Sequence, residues 1–364
     1  MNMNNHKKDK NIFCFLTKNI KTLIFINILF FAFSCSKSDP ILPAPIPAPT
    51  IKDIYITGYD YMGSNGVAKV WKNSIETALT DGSIYNYTKA IAIEGNDIYI
   101  AGNAVVDFYE VAKYWKNGLA TNLSDGTSDA NTQDITVVVS DVYVAGYTTS
   151  TVDGLHQVAT YWKNGVATKL TDGTNHARLF SIIVKNNDIY VAGQENGSYN
   201  GVAKVWKNGI ETALTDGSQD ASAKAITVAG SDVYIAGYEY NSTKYVAKVW
   251  KNGLETALTD GSQDASAIAI TVTGSDVYVA GYESNGSKEV AKIWKNGIPK
   301  SLTDGSQDAR SNSIVLIGSD VYVAGYESNG TNFIAKYWKN GIATNLITNV
   351  TSNSFAMGIA ITTN

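Results

Sequence analysis

A repeat of about 44 residues runs through most of the chain and constrains the fold more than any other feature. The tripeptide Trp-Lys-Asn occurs seven times and uses every Trp of the protein: Trp71, Trp115, Trp162, Trp206, Trp250, Trp294 and Trp338. A second marker, Asp-(Ile/Val)-Tyr, follows the same spacing from Asp53 to Asp320. Seven equivalent structural units are expected, because a fixed period of this length is typical of repeat architectures.

Each unit has the pattern of short β-strands. In residues 266–303, runs rich in β-formers are separated by the turn residues Gly274-Ser275 and Asn296-Gly297. Asn-Gly between such runs is the strongest short signal for a β-hairpin, since a type I′ turn needs positive φ at both positions. Six of the seven units contain it, and the first has Asn73-Ser74 instead. The pattern predicts four short antiparallel strands per unit.

Seven units of four strands predict an all-β fold, a seven-bladed β-propeller of four-stranded antiparallel blades over residues 51–364. The repeat enters at Asp53 on a second strand, and residues 357–361 near the C-terminus match a first strand. We therefore expect the C-terminal strand to join the N-terminal blade, which closes the ring and removes exposed sheet edges. A β-solenoid is the alternative, but it leaves this offset unexplained.

The repeated aromatic residues are expected in the core rather than in a ligand site. Each Trp stands at the same phase of the third strand, directly before the turn. A buried ring of this kind covers about 150–250 Å² and suits packing between blades. The Tyr of Asp-(Ile/Val)-Tyr is interpreted in the same way.

The first 34 residues differ from the repeats. They contain five lysines, Lys7, Lys8, Lys10, Lys18 and Lys21. The apolar run that follows has about 11 residues, fewer than the roughly 20 needed to span a bilayer, and predicts a secretory signal. Ser34-Cys35 ends the run and resembles a bacterial lipobox, with Ala32 where the pattern usually has Leu. The resemblance implies a lipoprotein signal peptide over residues 1–34 and lipidation of Cys35; an ordinary signal peptide cleaved nearby is the alternative.

Residues 35–50 are predicted to form a lipidated Cys and a Pro-rich tether. Five of the six prolines lie here, and alternating Pro favours an extended polyproline II spacer. Ser36-Lys37-Ser38-Asp39 resembles the export signal of Bacteroidota surface lipoproteins. That resemblance implies a protein anchored by lipid at the bacterial outer membrane or cell surface.

Charge and cysteine content exclude two classes of protein. The first 34 residues hold five Lys and one Asp, so the net charge falls from −4 for the whole chain to −8 without them. An acidic surface repels phosphate backbones and argues against nucleic-acid binding. Two Cys in the whole chain cannot form a disulfide-rich scaffold.

The loops between second and third strands vary from unit to unit and are expected on the same side as the connections between blades. Functional residues concentrate on loops carried by a rigid scaffold, so this face is the predicted binding surface. The loop with Asp153 and His156 carries the one insertion, of three residues. The candidate contact residues are Asp60, Tyr61, Asp107, Asp153, His156, Glu195, Glu239, Tyr240, Glu283 and Glu327.

Two further patterns raise the question of a metal. The connections between blades read Thr-Asp-Gly-Ser, as at residues 215–218, and oxygen-rich loops of this kind suit Ca²⁺. The alternative, which we favour, is that Asp and Ser bond their own backbone while Gly supplies positive φ. His156 and His176 are expected to be neighbours on the same face, although two imidazoles there need not bind a metal. We expect neither a cofactor nor a metal centre.

Catalysis has little support in the sequence. Acidic residues recur unit by unit, whereas an active site needs differentiated groups, and the chain has two Arg in total, Arg178 and Arg310, too few for the arginine triad of sialidases. Through Asp-Val-Tyr-Val-Ala-Gly-Tyr and Val-Ala-Lys-x-Trp-Lys-Asn-Gly, residues 53–364 resemble the tandem-repeat β-propeller lipoproteins of Bacteroidota. The resemblance implies the architecture and indicates little about function. Our leading hypothesis is a non-catalytic, lipid-anchored, monomeric binding or adhesion scaffold that uses the variable loop face and whose partner is a surface protein or a glycan. A propeller lectin and a carbohydrate-active hydrolase are the alternatives.

Overall fold

The computed structural model describes residues 50–151, 153–197, 200–347 and 351–364. Within these ranges the regular secondary structure consists of 28 β-strands in seven four-stranded antiparallel sheets. The predictions for residues 1–34, for Cys35 and for most of the tether lie outside the described residues. No helix in the described ranges has the length and apolarity needed to cross a membrane.

The four strands of a blade run from the channel outwards. The innermost strands are β4 (Asn86–Glu94), β8 (Ala130–Val138), β12 (Ala177–Lys185), β16 (Ala221–Ala229), β20 (Ala265–Thr273), β24 (Ala309–Ile317) and β28 (Ser354–Thr363). The second strands are β1 (Ile51–Met62), β5 (Asp97–Val106), β9 (Asp141–Thr149), β13 (Asp188–Asn196), β17 (Asp232–Tyr240), β21 (Asp276–Ser284) and β25 (Asp320–Ser328). The third strands are β2 (Asn65–Lys72), β6 (Tyr109–Lys116), β10 (Gln157–Lys163), β14 (Gly201–Lys207), β18 (Tyr245–Lys251), β22 (Glu289–Lys295) and β26 (Phe333–Lys339). The outer strands are β3 (Ile75–Ala78), β7 (Leu119–Asn122), β11 (Val166–Lys169), β15 (Ile210–Ala213), β19 (Leu254–Ala257), β23 (Ile298–Ser301) and β27 (Ile342–Asn345).

The ring closes as the sequence predicts. Strand β28 pairs antiparallel with β1, so blade 1 combines the C-terminal strand with β1, β2 and β3. Blades 2 to 7 follow in chain order, from β4–β7 to β24–β27. The seven innermost strands contact one another in a cycle from β4 to β28 and back to β4. The prediction of a seven-bladed β-propeller is therefore confirmed.

The repeated Trp residues hold adjacent blades together. All seven are at most 1% exposed. Trp294 of blade 6, for example, packs in one cluster with Tyr234, Ala236 and Val249 of blade 5. Trp71 of blade 1 packs against Tyr322 of blade 7, across the point of closure. The apolar core therefore lies between the blades, as the invariant phase of the Trp indicates.

The Asn-Gly turns have the predicted backbone. Asn296 and Gly297 have φ of 51° and 80°, and in the first unit Asn73 and Ser74 have 50° and 67°. Both positions of each turn therefore lie in the left-handed region that a type I′ hairpin needs.

Candidate functional site

The loop face is the side of the ring that carries the connections between blades and the loops between second and third strands. The Asn65 side-chain amide links the two kinds of loop by donating a hydrogen bond to the Gly82 carbonyl across 2.8 Å. Asn285 makes the equivalent bond to Gly305 at 2.9 Å. The placement of both loop classes on one side is thus confirmed.

Seven of the ten candidate contact residues lie in second strands rather than in loops. They are Asp60 and Tyr61 in β1, Glu195 in β13, Glu239 and Tyr240 in β17, Glu283 in β21 and Glu327 in β25. The second strands extend further than the sequence suggests because they pair with the third strands almost to the end of the hairpin. Asp107 lies in the β5–β6 turn with φ of 47°, and Asp153 and His156 lie in the β9–β10 loop.

The candidate carboxylates in second strands are each engaged by a lysine of the neighbouring third strand. Lys69 Nζ lies 2.5 Å from Asp60 Oδ2, and Lys204 Nζ lies 2.6 Å from Glu195 Oε2. The same pairing joins Lys248 to Glu239, Lys292 to Glu283 and Lys336 to Glu327. Burial opposes the charge of Lys248, but the hydrogen bonds to Glu239 and Glu255 outweigh it and raise its pKa. These acids serve first to neutralise half-buried lysines.

The inserted β9–β10 loop brings its two candidates together. Asp153 accepts hydrogen bonds from the backbone amides of Leu155 and His156 and pairs with Nδ1 of His156, and these contacts lower its pKa to about 2. The His156 and His176 rings lie 4.8 Å apart between centroids. Desolvation, together with the charges of His156 and Arg178, lowers the pKa of His176.

The Asp residues of the connections between blades bond within their own loops. Asp216 Oδ1 accepts the Ser218 backbone amide at 2.9 Å, and Asp125 Oδ1 accepts both the amide and the hydroxyl of Thr127. Among the described residues, no three His, Cys, Asp or Glu side chains gather in a way that would hold a metal ion. The Asp side chains act as local turn acceptors.

An aromatic patch occupies the loop face where blades 7, 1 and 2 meet. It consists of Tyr59, Tyr61, Tyr85, Tyr87, Tyr326, Phe333 and Phe355. Phe355 of blade 1 connects the patch to blade 7, because its ring lies 4.9 Å from that of Tyr326 between centroids. Tyr59, which lies 5.1 Å from Phe355 in the same blade, connects it to blade 2 through Tyr87 at 5.9 Å. Six of the seven rings are partly exposed, and Tyr87 is 9% exposed. Of these seven residues, Tyr61 alone is among the candidates predicted from the sequence.

The central channel is lined by a second set of residues that sequence reasoning missed. In each blade the pairing of the innermost strand with the second strand skips one residue, which forms a β-bulge. The seven skipped residues all line one channel cavity of about 420 Å³, and we call them the channel ring: Lys89, Gln133, Phe180, Lys224, Ile268, Asn312 and Met357. A bulge often re-aims a side chain in this way.

A signal for the channel ring is present in the sequence. Residues 219–228 and 263–272 are identical except at one position, where the first has Lys224 and the second Ile268. The repeat therefore varies at the place that faces the channel. This position can be identified as facing the channel only when the β-bulge is known, and no local sequence pattern predicts the bulge.

The charged residues that line the channel cavity are two lysines, Lys89 and Lys224, and one acid, Asp134. The Lys224 ammonium lies 3.6 Å from the centroid of the Phe180 ring, and the Lys89 ammonium lies 5.1 Å from that of Tyr87. Burial lowers the pKa of Lys224 to about 7, with a further contribution from the charge of Arg178, and burial also lowers the pKa of Lys89. Asp134 Oδ2 accepts hydrogen bonds from the Ser181 hydroxyl and the Ile182 amide, yet burial raises its pKa to about 6.

No family model and no curated protein matches the sequence. The β-propeller domain of the trilobed protease from Pyrococcus furiosus, described as having an open velcro topology, has 10% sequence identity and a TM-score of 0.52, covering 84% of this chain and 99% of that one. TolB from Acinetobacter baumannii has 10% identity and a TM-score of 0.45, covering 83% and 82%. Hydrazine synthase of Kuenenia stuttgartiensis has 9% identity and a TM-score of 0.48; the match covers 87% of this chain, which spans about half (47%) of the synthase chain. At these identities the likeness concerns the β-propeller fold alone.

Proposed function

We propose that the protein is a non-catalytic binding scaffold that captures a cell-surface partner on its loop face. The observation that carries the proposal is the aromatic patch, which joins seven rings from three blades. Tyr is enriched at interfaces because its ring supplies apolar area and its hydroxyl remains able to bond. Tyr61 and Tyr85 show this combination, since both side chains are partly exposed and their hydroxyls lie 3.1 Å apart.

The partner is proposed to be a surface protein or a glycan. A lectin is the second candidate, and the same patch favours it, because partly exposed rings can stack on sugars while their hydroxyls bond to them. A hydrolase would need a pair of carboxylates near the substrate. In the channel cavity, as far as the chain is described, Asp134 is the one acidic lining residue, which supports binding over hydrolysis.

The test compares variants inside and outside the patch. The purified full chain is used to capture partners from outer-membrane protein fractions and on a glycan array, with the variants Tyr61→Ala and Tyr85→Ala. The matched control is Tyr109→Ala, since Tyr109 is 42% exposed and has no ring contact with the patch. We expect both patch variants to lose capture while Tyr109→Ala retains it. Equal capture by the wild type and all three variants would show that the aromatic patch is not the binding surface. Capture of glycans without capture of proteins would identify a lectin.

We also propose that lipidation of Cys35 holds the scaffold on the bacterial outer membrane or cell surface. The support is the sequence pattern around Ser34-Cys35 and the Pro-rich segment that follows it. Stable anchoring needs more than one acyl chain, which a bacterial lipoprotein carries. Labelling cells with a radioactive fatty acid should mark the wild-type chain and leave Cys35→Ala unlabelled. Label retained by Cys35→Ala would contradict the anchor.

A further inference from the structure

The channel ring is the part of the molecule where a nearly uniform repeat presents six different residue types at seven equivalent positions to one cavity. Repetition elsewhere serves packing and turns, which are equivalent in every blade. A position that varies among the blades, with Lys alone occurring twice, and that faces an open cavity does not serve these repeated needs. All seven ring residues are partly exposed to the channel. The ring therefore has the differentiated chemistry that a ligand site requires.

Lys89 and Lys224 are the cations of the ring, and within the described part of the chain neither forms an ion pair; Glu110 acts on Lys89 and Asp220 on Lys224 only through longer-range electrostatics. Lys204 and Lys248, two half-buried lysines of the third strands, each pair with two glutamates. In contrast, the contacts of Lys224 are the rings of Phe180 and Tyr238, at 3.6 and 5.3 Å from the ammonium. An ammonium that is removed from water without a counter-ion is costly, and an anion would relieve that cost.

Other polar groups that line the cavity already form hydrogen bonds within the protein. Asp134 accepts bonds from Ser181 and Ile182, and the Gln133 side chain donates to Asn131 at 2.6 Å. The Asn312 amide donates to the Ala356 carbonyl at 2.9 Å. These groups therefore do not compensate the two lysines. The remaining ring residues, Phe180, Ile268 and Met357, are apolar.

We propose that the central channel binds a small organic anion, with its acid group held by Lys224 and Lys89 and its apolar body against Phe180, Ile268 and Met357. The cavity volume of about 420 Å³ falls in the range of small-molecule sites. Arg178 stands two residues before Phe180 on β12 and is exposed near the loop-face end of that strand. Its positive charge favours the approach of an anion to this end of the channel. Tyr87 of the aromatic patch borders the site, since its ring lies 5.1 Å from the Lys89 ammonium, but the proposed contacts to the anion use none of the seven patch residues.

The titratable groups around Lys224 make binding depend on pH. Arg178 on β12 and Lys89 on β4 lower its pKa in addition to burial, and Asp220 at the start of β16 opposes them. With a pKa of about 7, Lys224 is only partly charged at neutral pH, so a bound anion draws a proton onto it. Protonation of Asp134, with its pKa of about 6, removes a negative charge from the same cavity. Both effects make anion affinity rise as the pH falls from about 8 to about 6.

The test uses benzoate and benzamide, which have nearly the same shape but differ in charge. Binding to the purified full chain is measured by titration calorimetry in two buffers of different ionisation enthalpy, which reports the protons taken up. We expect benzoate to bind at least tenfold more tightly than benzamide, with proton uptake at neutral pH. Inorganic phosphate and succinate are titrated in parallel. Phosphate tests whether an acid group other than a carboxylate binds, and succinate tests whether a carboxylate binds without an apolar ring.

The variants Lys224→Met and Lys89→Met separate the channel from general charge. Lys169→Met is the matched control, because Lys169 lies in an exposed outer strand. We expect each channel variant to lower benzoate affinity at least tenfold, Lys224→Met to abolish proton uptake, and Lys169→Met to change neither by more than twofold. Lys224→Met should also unfold at a higher temperature, because it removes a desolvated charge. Equal binding of benzoate and benzamide, unchanged affinity in both channel variants, or no binding of any probe up to about 10 mM would overturn the proposal.

Discussion

The Asn296 side-chain amide donates a hydrogen bond to Asp276 Oδ1 across 2.8 Å, although the two residues lie 20 positions apart. The Asn296 side-chain oxygen Oδ1 in turn accepts a hydrogen bond from the Val277 backbone amide at 2.8 Å. The same amide-to-carboxylate bond recurs in all seven blades, at 2.7 or 2.8 Å. The two sequence markers of the repeat, Trp-Lys-Asn and Asp-(Ile/Val)-Tyr, are thus hydrogen-bonded to each other. In each blade this bond joins the turn that follows the third strand to the start of the second strand.

Substitutions at Asn296 should separate the two roles of this residue. Asn296→Gly keeps a residue that tolerates the φ of 51° and loses both side-chain hydrogen bonds, so we expect unfolding free energy to fall by about 1–2 kcal/mol. Asn296→Ala also places a Cβ in the left-handed region and should cost about 1 kcal/mol more. Urea unfolding followed by Trp fluorescence measures both. Equal losses would show that backbone strain contributes nothing at this turn.

Gly281 of β21 lies against the bulge of the neighbouring innermost strand. A Cβ at this position would stand 2.0 Å from the Ser266 carbonyl oxygen, so Gly281→Ala must displace backbone next to the channel. We expect a loss of about 3 kcal/mol or more in unfolding free energy. Gly297→Ala is the control, because it has φ of +80° but no atom within 4 Å, and should cost about 1 kcal/mol. A smaller loss for Gly281→Ala than for its control would contradict the close approach.

Glu239 is expected to act on stability through Lys248. The Lys248 side chain is 12% exposed, while Glu239 and Glu255 are 17% and 55% exposed. Glu239→Gln should reduce unfolding free energy by about 1–2 kcal/mol, because it weakens the more buried half of the pair and Glu255 remains. Glu255→Gln, the exposed counterpart, should change it by about 0.5 kcal/mol or less. Chemical denaturation at neutral pH measures the unfolding free energy of both variants. Equal losses in Glu239→Gln and Glu255→Gln would argue against a structural role for Glu239.

Asp134 should make stability depend on pH with a defined sign. Burial raises its pKa from 3.8 to about 6, so the folded state binds more protons than the unfolded state between these values. The stabilisation by the protonated acid is therefore present below pH 4 and is lost as the pH rises through 6. As the pH rises from about 4 to above 6, the wild type should lose about 3 kcal/mol of unfolding free energy relative to Asp134→Asn.

The control for Asp134 titrates in the opposite direction. Asp153 has its pKa lowered to about 2 by bonds from the Leu155 and His156 amides, so its contribution should be lost as the pH falls. The difference between wild type and Asp153→Asn should therefore grow with rising pH between about 2 and 4. Thermal unfolding across this series measures both variants. A pH-independent difference for Asp134→Asn would show that its carboxyl is not desolvated.

Local sequence patterns predicted the strands and turns correctly because each of them depends on neighbours in the chain. Asn-Gly specifies its hairpin by its own backbone preference, and the Trp at the end of each third strand is buried because every blade needs the same bulk there. The candidate acids were harder to place. Glu239 lies in β17 and not in a loop because its backbone pairs with Val246 of β18, and its side chain then meets Lys248 of the same strand.

The sequence by itself determined the number of blades, the order of strands within them and the closure of the ring by β28, since the period and the offset of the repeat contain this information. Only the tertiary structure decided which side chains face the channel. Lys224 and Ile268 occupy equivalent places in two otherwise identical stretches, and nothing next to them in the chain marks that place. The bulge at Lys224 lies where Gly237 of the second strand approaches the innermost strand so closely that a Cβ would stand 1.9 Å from the Ser222 carbonyl oxygen, a contact between two strands rather than between neighbours in the chain. The seven bulged residues meet in one cavity only when the ring has closed.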